Sequence, residues 1–156
     1  MELIAIDKMT IVRFDVFPTD RQVQLLEEWT KKYTTLLNTA LAGVKVTEQD
    51  YAEMLPDFKS WKLKQRIERD VWLIQNKRMR KFSKPVFRCD TGSYQLVRGK
   101  ISLALSTKRI WVPTDGTWIA LNRQGSLTFW KEAGKWRADI LLWVKRELRT
   151  ALGGEY

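Results

Sequence analysis

The chain has 156 residues, the length of one domain, and a formal net charge of +10 from 28 Lys and Arg against 18 Asp and Glu. Such a charge favours polyanionic partners, namely DNA, RNA or an acidic membrane face, while a hydrophobic share of 44% and 8 Trp exclude a disordered tail. Histidine is absent and Cys89 is the single cysteine, which excludes an internal disulfide and a Cys-rich zinc site and removes the usual general base.

The chain begins with a pattern typical of a strand followed by a helix. Residues 10–17 alternate apolar and polar side chains with a period of two, which predicts a β-strand. Pro18 ends this strand, and Thr19 or Asp20 is suited to accept the free N–H groups at the start of a helix. Apolar residues then recur at spacings of three and four, which predicts a helix over residues 21–41.

The rest of the chain changes from helical to strand patterns. A short helix is predicted over residues 47–54, and a longer one with a broad apolar stripe and an otherwise basic surface over residues 59–82. From residue 83 onward, short apolar or alternating runs are separated by turn sequences, which is typical of a barrel or sandwich. Residues 139–152 also partly fit a helical period, so the end of the last strand, near Trp143, is left open.

This order of elements predicts an α+β fold, with an antiparallel β-barrel whose first strand is separated from the others by helices. We expect one domain over residues 1–156. Its parts are a first barrel strand (10–17), a helical insertion (20–82), the remaining barrel strands (83–143) and a C-terminal helix or tail (144–156).

Most of the positive charge lies between residues 59 and 88, where eleven Lys or Arg face only Glu68 and Asp70, a net charge of +9. Each cation that neutralises a phosphate releases condensed counterions, and aromatic neighbours such as Phe82 suit single strands and irregular RNA. The alternative is a solvated helix face with ordinary surface lysines. We expect phosphate contacts from nine of these cations: Lys62, Arg66, Arg69, Lys77, Arg78, Arg80, Lys81, Lys84 and Arg88.

Aromatic side chains are the second candidate feature for binding. Most of the eight Trp are expected to fill the core, but basic residues lie close in sequence to Trp111, Trp130 and Trp136. These three are therefore the better candidates to stack on bases. Tyr94 and Trp136 complete the predicted binding set as stacking residues.

Catalytic chemistry finds little support in the sequence. No Gly-rich phosphate loop occurs, and Cys89 lies in a predicted strand, where it fits a small core residue better than a nucleophile. We therefore expect no catalytic residue, no metal site and no cofactor. The carboxylates weighed as metal ligands lack a suitable spacing: Asp15, Asp90, Asp115 and Asp139.

Four short motifs resemble the N-terminal half of the transposon-encoded TnpB proteins and the related Cas12-type RNA-guided nucleases. They are R-F-D-V-F-P-T-D-R-Q at residues 13–22, K-P-V-F-R and G-K-I-S-L at residues 84–88 and 99–103, and G-K-W-R at residues 134–137. The resemblance implies a wedge-like, OB-like β-barrel with a helical recognition insertion. In that family this half holds guide RNA and the RNA–DNA duplex.

The resemblance does not extend to the family's nuclease chemistry. The chain has no G-I-D-x-G motif of the RuvC nuclease domain, and residues 138–140 are a poor substitute for it. The resemblance therefore implies RNA or RNA–DNA binding without cleavage, with a nuclease subunit supplied by a separate chain.

The expected partners are thus RNA, DNA and a separate protein of a ribonucleoprotein complex, with no membrane. We expect a cytoplasmic location, because residues 1–10 do not resemble a signal peptide and no apolar run approaches the roughly 20 residues that span a bilayer. Two alternatives remain: a subunit that docks an acidic protein partner, and a sequence-specific DNA regulator whose recognition helix would be residues 21–41 or 59–82.

Overall fold

The structure is a computed structural model that describes residues 3–4, 7–115, 123–145 and 149–150, and the side chains of residues 10–115 and 124–142. In these ranges three helices follow a long strand and precede most of the other strands, which confirms the predicted α+β class. The helices are α1 (Asp20–Leu41), α2 (Glu48–Met54) and α3 (Ser60–Gln75). The strands are β1 (Leu3–Ile4), β2 (Asp7–Val16), β3 (Phe87–Cys89), β4 (Tyr94–Val97), β5 (Lys100–Ala104), β6 (Arg109–Pro113), β7 (Arg123–Glu132), β8 (Lys135–Lys145) and β9 (Arg149–Thr150).

The described strands form three antiparallel sheets. The largest has the order β2-β8-β7-β3, the second has the order β4-β5-β6, and β1 pairs with β9. Strand β2 pairs with β8 along its whole length, from Asp7 opposite Lys145 to Val16 opposite Trp136. In sequence, the helices therefore lie between β2, the first strand of this sheet, and β8, the strand with which it pairs.

Among the residues that the structure describes, one β-bridge joins the two larger sheets. Val16 at the end of β2 pairs with Thr114 just after β6, and the Phe17 N–H donates to the Pro113 carbonyl at 2.8 Å. The Thr114 hydroxyl also donates to the Asp15 carbonyl at 2.8 Å. In the part of the chain that the structure describes, these sheets do not close into a barrel. Residues 116–122 of the predicted strand region lie outside that part.

Helix α1 packs its apolar stripe against α3 and β3. Thr19 starts it with a capping box, because its hydroxyl accepts the Gln22 N–H at 3.3 Å while the Gln22 side chain accepts the Thr19 N–H at 3.0 Å. The Trp29 and Phe58 rings meet edge to face with their centroids 4.8 Å apart. This aromatic contact anchors the helices over the four-stranded sheet. The stripe itself is buried: Leu26, Trp29, Tyr33, Leu36 and Leu37.

Helix α3 ends earlier than the sequence pattern predicted. The helix was expected to continue to residue 82, but it ends at Gln75, and Lys77 has a left-handed φ of 57°. The N–H groups of Arg78 and Met79 then both donate to the Leu73 carbonyl, at 2.8 and 3.2 Å. Both bonds go to the Leu73 carbonyl, one of the groups that the last turn of the helix leaves free. The cations that follow therefore lie on a loop.

The C-terminal region also differs from the expected helix or tail over residues 144–156. Residues 144 and 145 continue β8, because they pair with residues 8 and 7 of β2. Residues 149–150 form β9 opposite β1. The remainder of the predicted C-terminal segment lies outside the described residues.

Candidate nucleic-acid interface

The loop after α3 presents a dense group of solvent-exposed cations. Lys77, Arg78, Arg80 and Lys81 are all exposed, and we call residues 77–81 the basic loop. In the described ranges, none of these four side chains has an ion pair or a hydrogen bond. Their charges are therefore available to an external anion.

Arg69 extends this positive surface onto α3. Its guanidinium lies 5.2 Å from the centre of the exposed Trp72 ring, a cation–π arrangement that holds both groups at the surface. Both residues lie within two turns of the C-terminal end of α3, where the basic loop begins. Arg69 and the basic loop together account for five of the nine cations that the sequence predicts to contact phosphate.

Lys62 and Lys84 are only partly available. The Lys62 ammonium donates to the Gly92 carbonyl at 3.1 Å near the start of α3. Lys84 lies 3.6 Å from the Glu132 carboxylate and 5.3 Å from the centre of the Trp130 ring. The Trp130 N–H and the neighbouring Lys84 charge lower the pKa of Glu132, so this partner stays anionic. Both lysines thus differ from the cations of the basic loop, which have no such partners among the described residues.

Arg66 and Arg88 are buried, and their expected role as phosphate contacts is corrected on that ground. Both guanidinium groups bind the fully buried Asp70, Arg66 at 2.7 Å and Arg88 at 2.9 Å. Arg66 also donates to Asp90 at 2.6 Å. The Tyr33 hydroxyl donates to the second Asp70 oxygen at 2.7 Å. We call Asp70, Arg66, Arg88 and Tyr33 the Asp70 cluster.

The Asp70 cluster links α1, α3 and β3 through charged groups that are removed from water. Burial and the Asp70 charge raise the pKa of Tyr33 well above its ordinary value, so the hydroxyl stays protonated as a donor. Burial lowers the pKa of Arg66, but Asp70 and Asp90 outweigh it and raise the pKa overall. These cations therefore serve the interior of the protein. The sequence signal was the spacing of four between Arg66 and Asp70 on one helix, which permits an ion pair.

The two predicted stacking residues are both buried, which corrects that expectation. Tyr94 lies on the inner face of β4 and donates its hydroxyl hydrogen to the Gly125 carbonyl at 2.7 Å. Trp136 is opposite Val16 in the β2–β8 pair and lies in the core. Trp130 is buried as well, whereas Trp111 is 49% exposed. Neither Tyr94 nor Trp136 offers a free ring face to a base.

A groove runs between the end of α3, the basic loop and strands β2, β7 and β8. Its volume is about 820 Å³, within the range of about 300–1,000 Å³ that is common for small-molecule sites. Leu73, Phe82 and Leu141 contribute apolar lining, and Arg69 and Arg78 bring exposed cations to the same groove. Two carboxylates, Asp90 and Asp139, also line the groove, where they are paired with Arg66 and Arg13. The groove therefore brings apolar surface and exposed cations together.

Three further observations concern metal binding, membrane crossing and the reactivity of the single cysteine in the described part of the chain. There, no three His, Cys, Asp or Glu side chains are placed to hold a metal ion, and no helix combines the length and apolarity needed to cross a membrane. Burial raises the pKa of the Cys89 thiol, which disfavours the reactive thiolate.

No protein-family model matches the chain, and no curated protein matches it. The resemblance to TnpB-like proteins therefore stays a prediction from four short motifs.

Proposed function

We propose that the protein is a non-catalytic nucleic-acid-binding protein that holds RNA through the basic loop and Arg69. One observation carries this proposal: the four cations of the basic loop are exposed, and none has a partner among the described residues. Several other surface cations are paired with carboxylates, as Lys131 is with Glu27 at 3.1 Å, and the exposed cations without such a partner, such as Arg21 and Lys45, are dispersed along the chain. The basic loop thus concentrates charge that the protein itself leaves unneutralised.

Counterion release supplies the driving force for such an interface. A cation that contacts a phosphate displaces ions condensed on the polymer, so affinity depends steeply on salt. The groove beside the basic loop adds apolar surface next to Arg69 and Arg78, which suits the bases of unpaired or irregular RNA. Phosphate contacts from the basic loop and apolar contacts in the groove would act on the same strand.

The finer features expected from the resemblance belong to the same proposal. We extend it to guide RNA or an RNA–DNA duplex as ligand and to a nuclease subunit on a separate chain. An OB-like barrel is also proposed, and the bridge from Val16 to Thr114 supports it by joining β2 to β6. Cross-strand NMR contacts between β2 and β6 beyond this one bridge would support the barrel.

The test is a variant in which the basic loop loses its charge: Lys77, Arg78, Arg80 and Lys81 all changed to Ala. The expected result is weaker RNA binding and a flatter plot of log affinity against log salt. The slope should fall by up to about 3–4, because each lost phosphate contact contributes about 0.7–0.9. Fluorescence anisotropy with a labelled RNA hairpin, at several salt concentrations, measures both quantities.

A matched control removes the same charge elsewhere. Each variant lowers the net charge from +10 to +6, since four cations are removed. The control should keep most of the affinity, because its cations are dispersed over the surface. Equal losses in the two variants, or no loss in either, would contradict the proposal. The control changes four exposed residues to Ala: Arg21, Lys31, Lys45 and Lys135.

A further inference from the structure

The three-stranded sheet β4-β5-β6 carries a second concentration of positive charge. Residues 94–113, which form this sheet and its turns, contain four Lys or Arg and no Asp or Glu. Outside residues 59–88 the chain carries nearly equal numbers of acidic and basic residues, so the net charge of the rest of the chain does not reveal this basic segment. The four cations are Arg98, Lys100, Lys108 and Arg109, and all four are exposed.

The register of the strands shows which residues share the outer face of this sheet. The inner face is buried and includes Leu96, Ile101 and Val112. On the outer face, Gln95, Ser102 and Trp111 lie in one row across the three strands, where Gln95 and Trp111 are exposed and Ser102 is buried. The neighbouring rows of that face place Val97, Lys100 and Pro113 on one side of this row and Ala104 and Arg109 on the other.

Trp111 lies exposed on this face, on a fixed backbone. Half of its side chain, 49%, is open to solvent, although a large indole gains stability from burial. Its carbonyl accepts a hydrogen bond from the Gln22 side chain at 2.7 Å, which ties β6 to the start of α1. The ring is therefore presented at a defined place on a hydrogen-bonded sheet.

Arg109 is held on the same face, two residues from Trp111. One of its guanidinium nitrogens, Nη1, donates to the Ser102 hydroxyl at 2.7 Å, and Ser102 is directly opposite Trp111. This bond uses one of the five guanidinium N–H donors, and the others remain for a ligand. In the described part of the chain, Arg109 has no carboxylate partner. A positioned cation thus lies beside an exposed aromatic ring.

We propose that the outer face of β4-β5-β6 is a second nucleic-acid surface, which binds unpaired nucleotides. A base stacks on Trp111, and Arg109 and Lys100 neutralise the adjacent phosphates. Stacking needs a base with a free face, which a duplex does not offer, so the expected ligand is single-stranded. The inference goes beyond the basic loop and shares with the proposed function only the class of polymer.

Charge complementarity favours a polyanion on this face over an apolar protein partner. Protein interfaces are enriched in aromatic residues and Arg but depleted of Lys. Here Lys100 and Arg109 flank the row that contains Trp111, and the segment has no acid to balance them. The combination of dispersed cations and one exposed ring fits a phosphate backbone with unstacked bases better than it fits an apolar protein surface.

The experiment measures binding of the 156-residue chain to two RNAs: a fluorescein-labelled oligouridine, and a hairpin with a fully paired stem and a compact tetraloop of stacked bases. Trp111→Ala should weaken oligouridine binding about tenfold, because one base–aromatic stack is lost. It should leave the salt slope and hairpin binding unchanged, since no cation is removed. Trp111→Phe should retain most of the affinity, and Trp61→Ala, which removes another half-exposed indole, serves as the control.

The companion variant Lys100→Ala with Arg109→Ala should instead flatten the oligouridine salt slope by about 1.4, since a single-strand phosphate contact contributes about 0.7. Unchanged oligouridine affinity in a folded Trp111→Ala variant would overturn the inference. Loss of self-association in that variant, seen by sedimentation velocity without any change in affinity, would overturn it in favour of a contact between two copies.

The two proposals fail separately in this design. If the variant that lacks the basic-loop charge loses hairpin binding while Trp111→Ala behaves like the parent, the second surface is wrong and the proposed function stands. If Trp111→Ala loses oligouridine binding while the basic-loop variant behaves like the parent, the second surface stands and the basic loop does not bind RNA. A parent protein that binds neither RNA at low salt overturns both.

Discussion

The Asp70 cluster and the basic loop use the same residue types for opposite purposes. Arg66 and Arg88 are buried and bind a carboxylate, whereas Arg78 and Arg80 are exposed and bind nothing in the described structure. Both groups come from one basic stretch of sequence. The role of a cation therefore depends on whether an internal anion reaches it. Where Asp70 does, the cation stabilises the fold, and where no anion does, the charge is free for a partner.

The largest expected effect comes from removing the anion at the centre of the Asp70 cluster. Asp70→Asn leaves the buried Arg88 guanidinium without a counter-charge and leaves Arg66 with Asp90 alone, which should lower the free energy of unfolding by about 3–5 kcal/mol. Urea unfolding followed by circular dichroism measures this loss. Glu68→Gln is the control, because Glu68 lies exposed on the same helix and its pair with Lys64, at 3.9 Å, contributes little. Similar losses of unfolding free energy in Asp70→Asn and Glu68→Gln would show that the Asp70 cluster stabilises the fold no more than an exposed ion pair does.

A second pair of variants separates two arginines that lie three positions apart on α3. Arg66→Ala should cost about 3 kcal/mol, the lower end of the range for a broken buried pair, because Asp70 keeps Arg88 and Tyr33 as partners. Arg69→Ala should change stability by no more than about 0.5 kcal/mol, since its side chain is exposed. For RNA affinity we expect the opposite: Arg69→Ala should weaken RNA binding more than Arg66→Ala does. Weaker RNA binding by folded Arg66→Ala than by Arg69→Ala would break the distinction between buried and free cations.

The secondary structure that the sequence predicted well depends on local signals. The alternation in β2 and the spacing and cap of α1 are properties of neighbouring residues, and both elements were found to within a few positions. The end of α3 was missed because Lys77 adopts a left-handed φ that usually indicates Gly. The hydrophobic pattern by itself predicted that the helix continues to residue 82, beyond its observed end at Gln75.

The candidate site was harder to predict because it depends on tertiary contacts. Arg88 is recognised as a core residue only when β3 is placed against α3, 18 positions away in sequence. Tyr94 and Trp136 point inward because of strand register, which the sequence left open. Charge density directed attention to residues 77–81, whose four cations are exposed, but it did not separate free cations from paired ones. The sequence named Trp111 as a stacking candidate, but it did not show that Trp111 shares an outer sheet face with Lys100 and Arg109.

A smaller effect with a pH signature comes from Tyr33. Tyr33→Phe removes the hydrogen bond to Asp70 and should cost about 2 kcal/mol near pH 8. The folded state keeps Tyr33 protonated because burial raises its pKa, whereas the unfolded chain ionises it near its ordinary pKa of about 10. The advantage of the parent over Tyr33→Phe is thus complete below pH 10 and falls above it, by about 0.8 kcal/mol at pH 10.5. Urea titrations of both proteins at the two pH values measure it, and a constant difference would contradict the buried, protonated state.

The smallest effect on stability is expected where the effect on binding is largest. Changing Lys77, Arg78, Arg80 and Lys81 to Ala removes side chains that contact no carboxylate in the described structure, so the free energy of unfolding should change by less than about 1 kcal/mol. Any change should favour the variant, because it relieves repulsion among like charges. The same urea titration decides the matter. A clear destabilisation would mean that these cations have structural partners, and the observation that carries the proposed function would then be lost. A stable variant that no longer binds RNA would show that the protein maintains this charge for a partner rather than for its own fold.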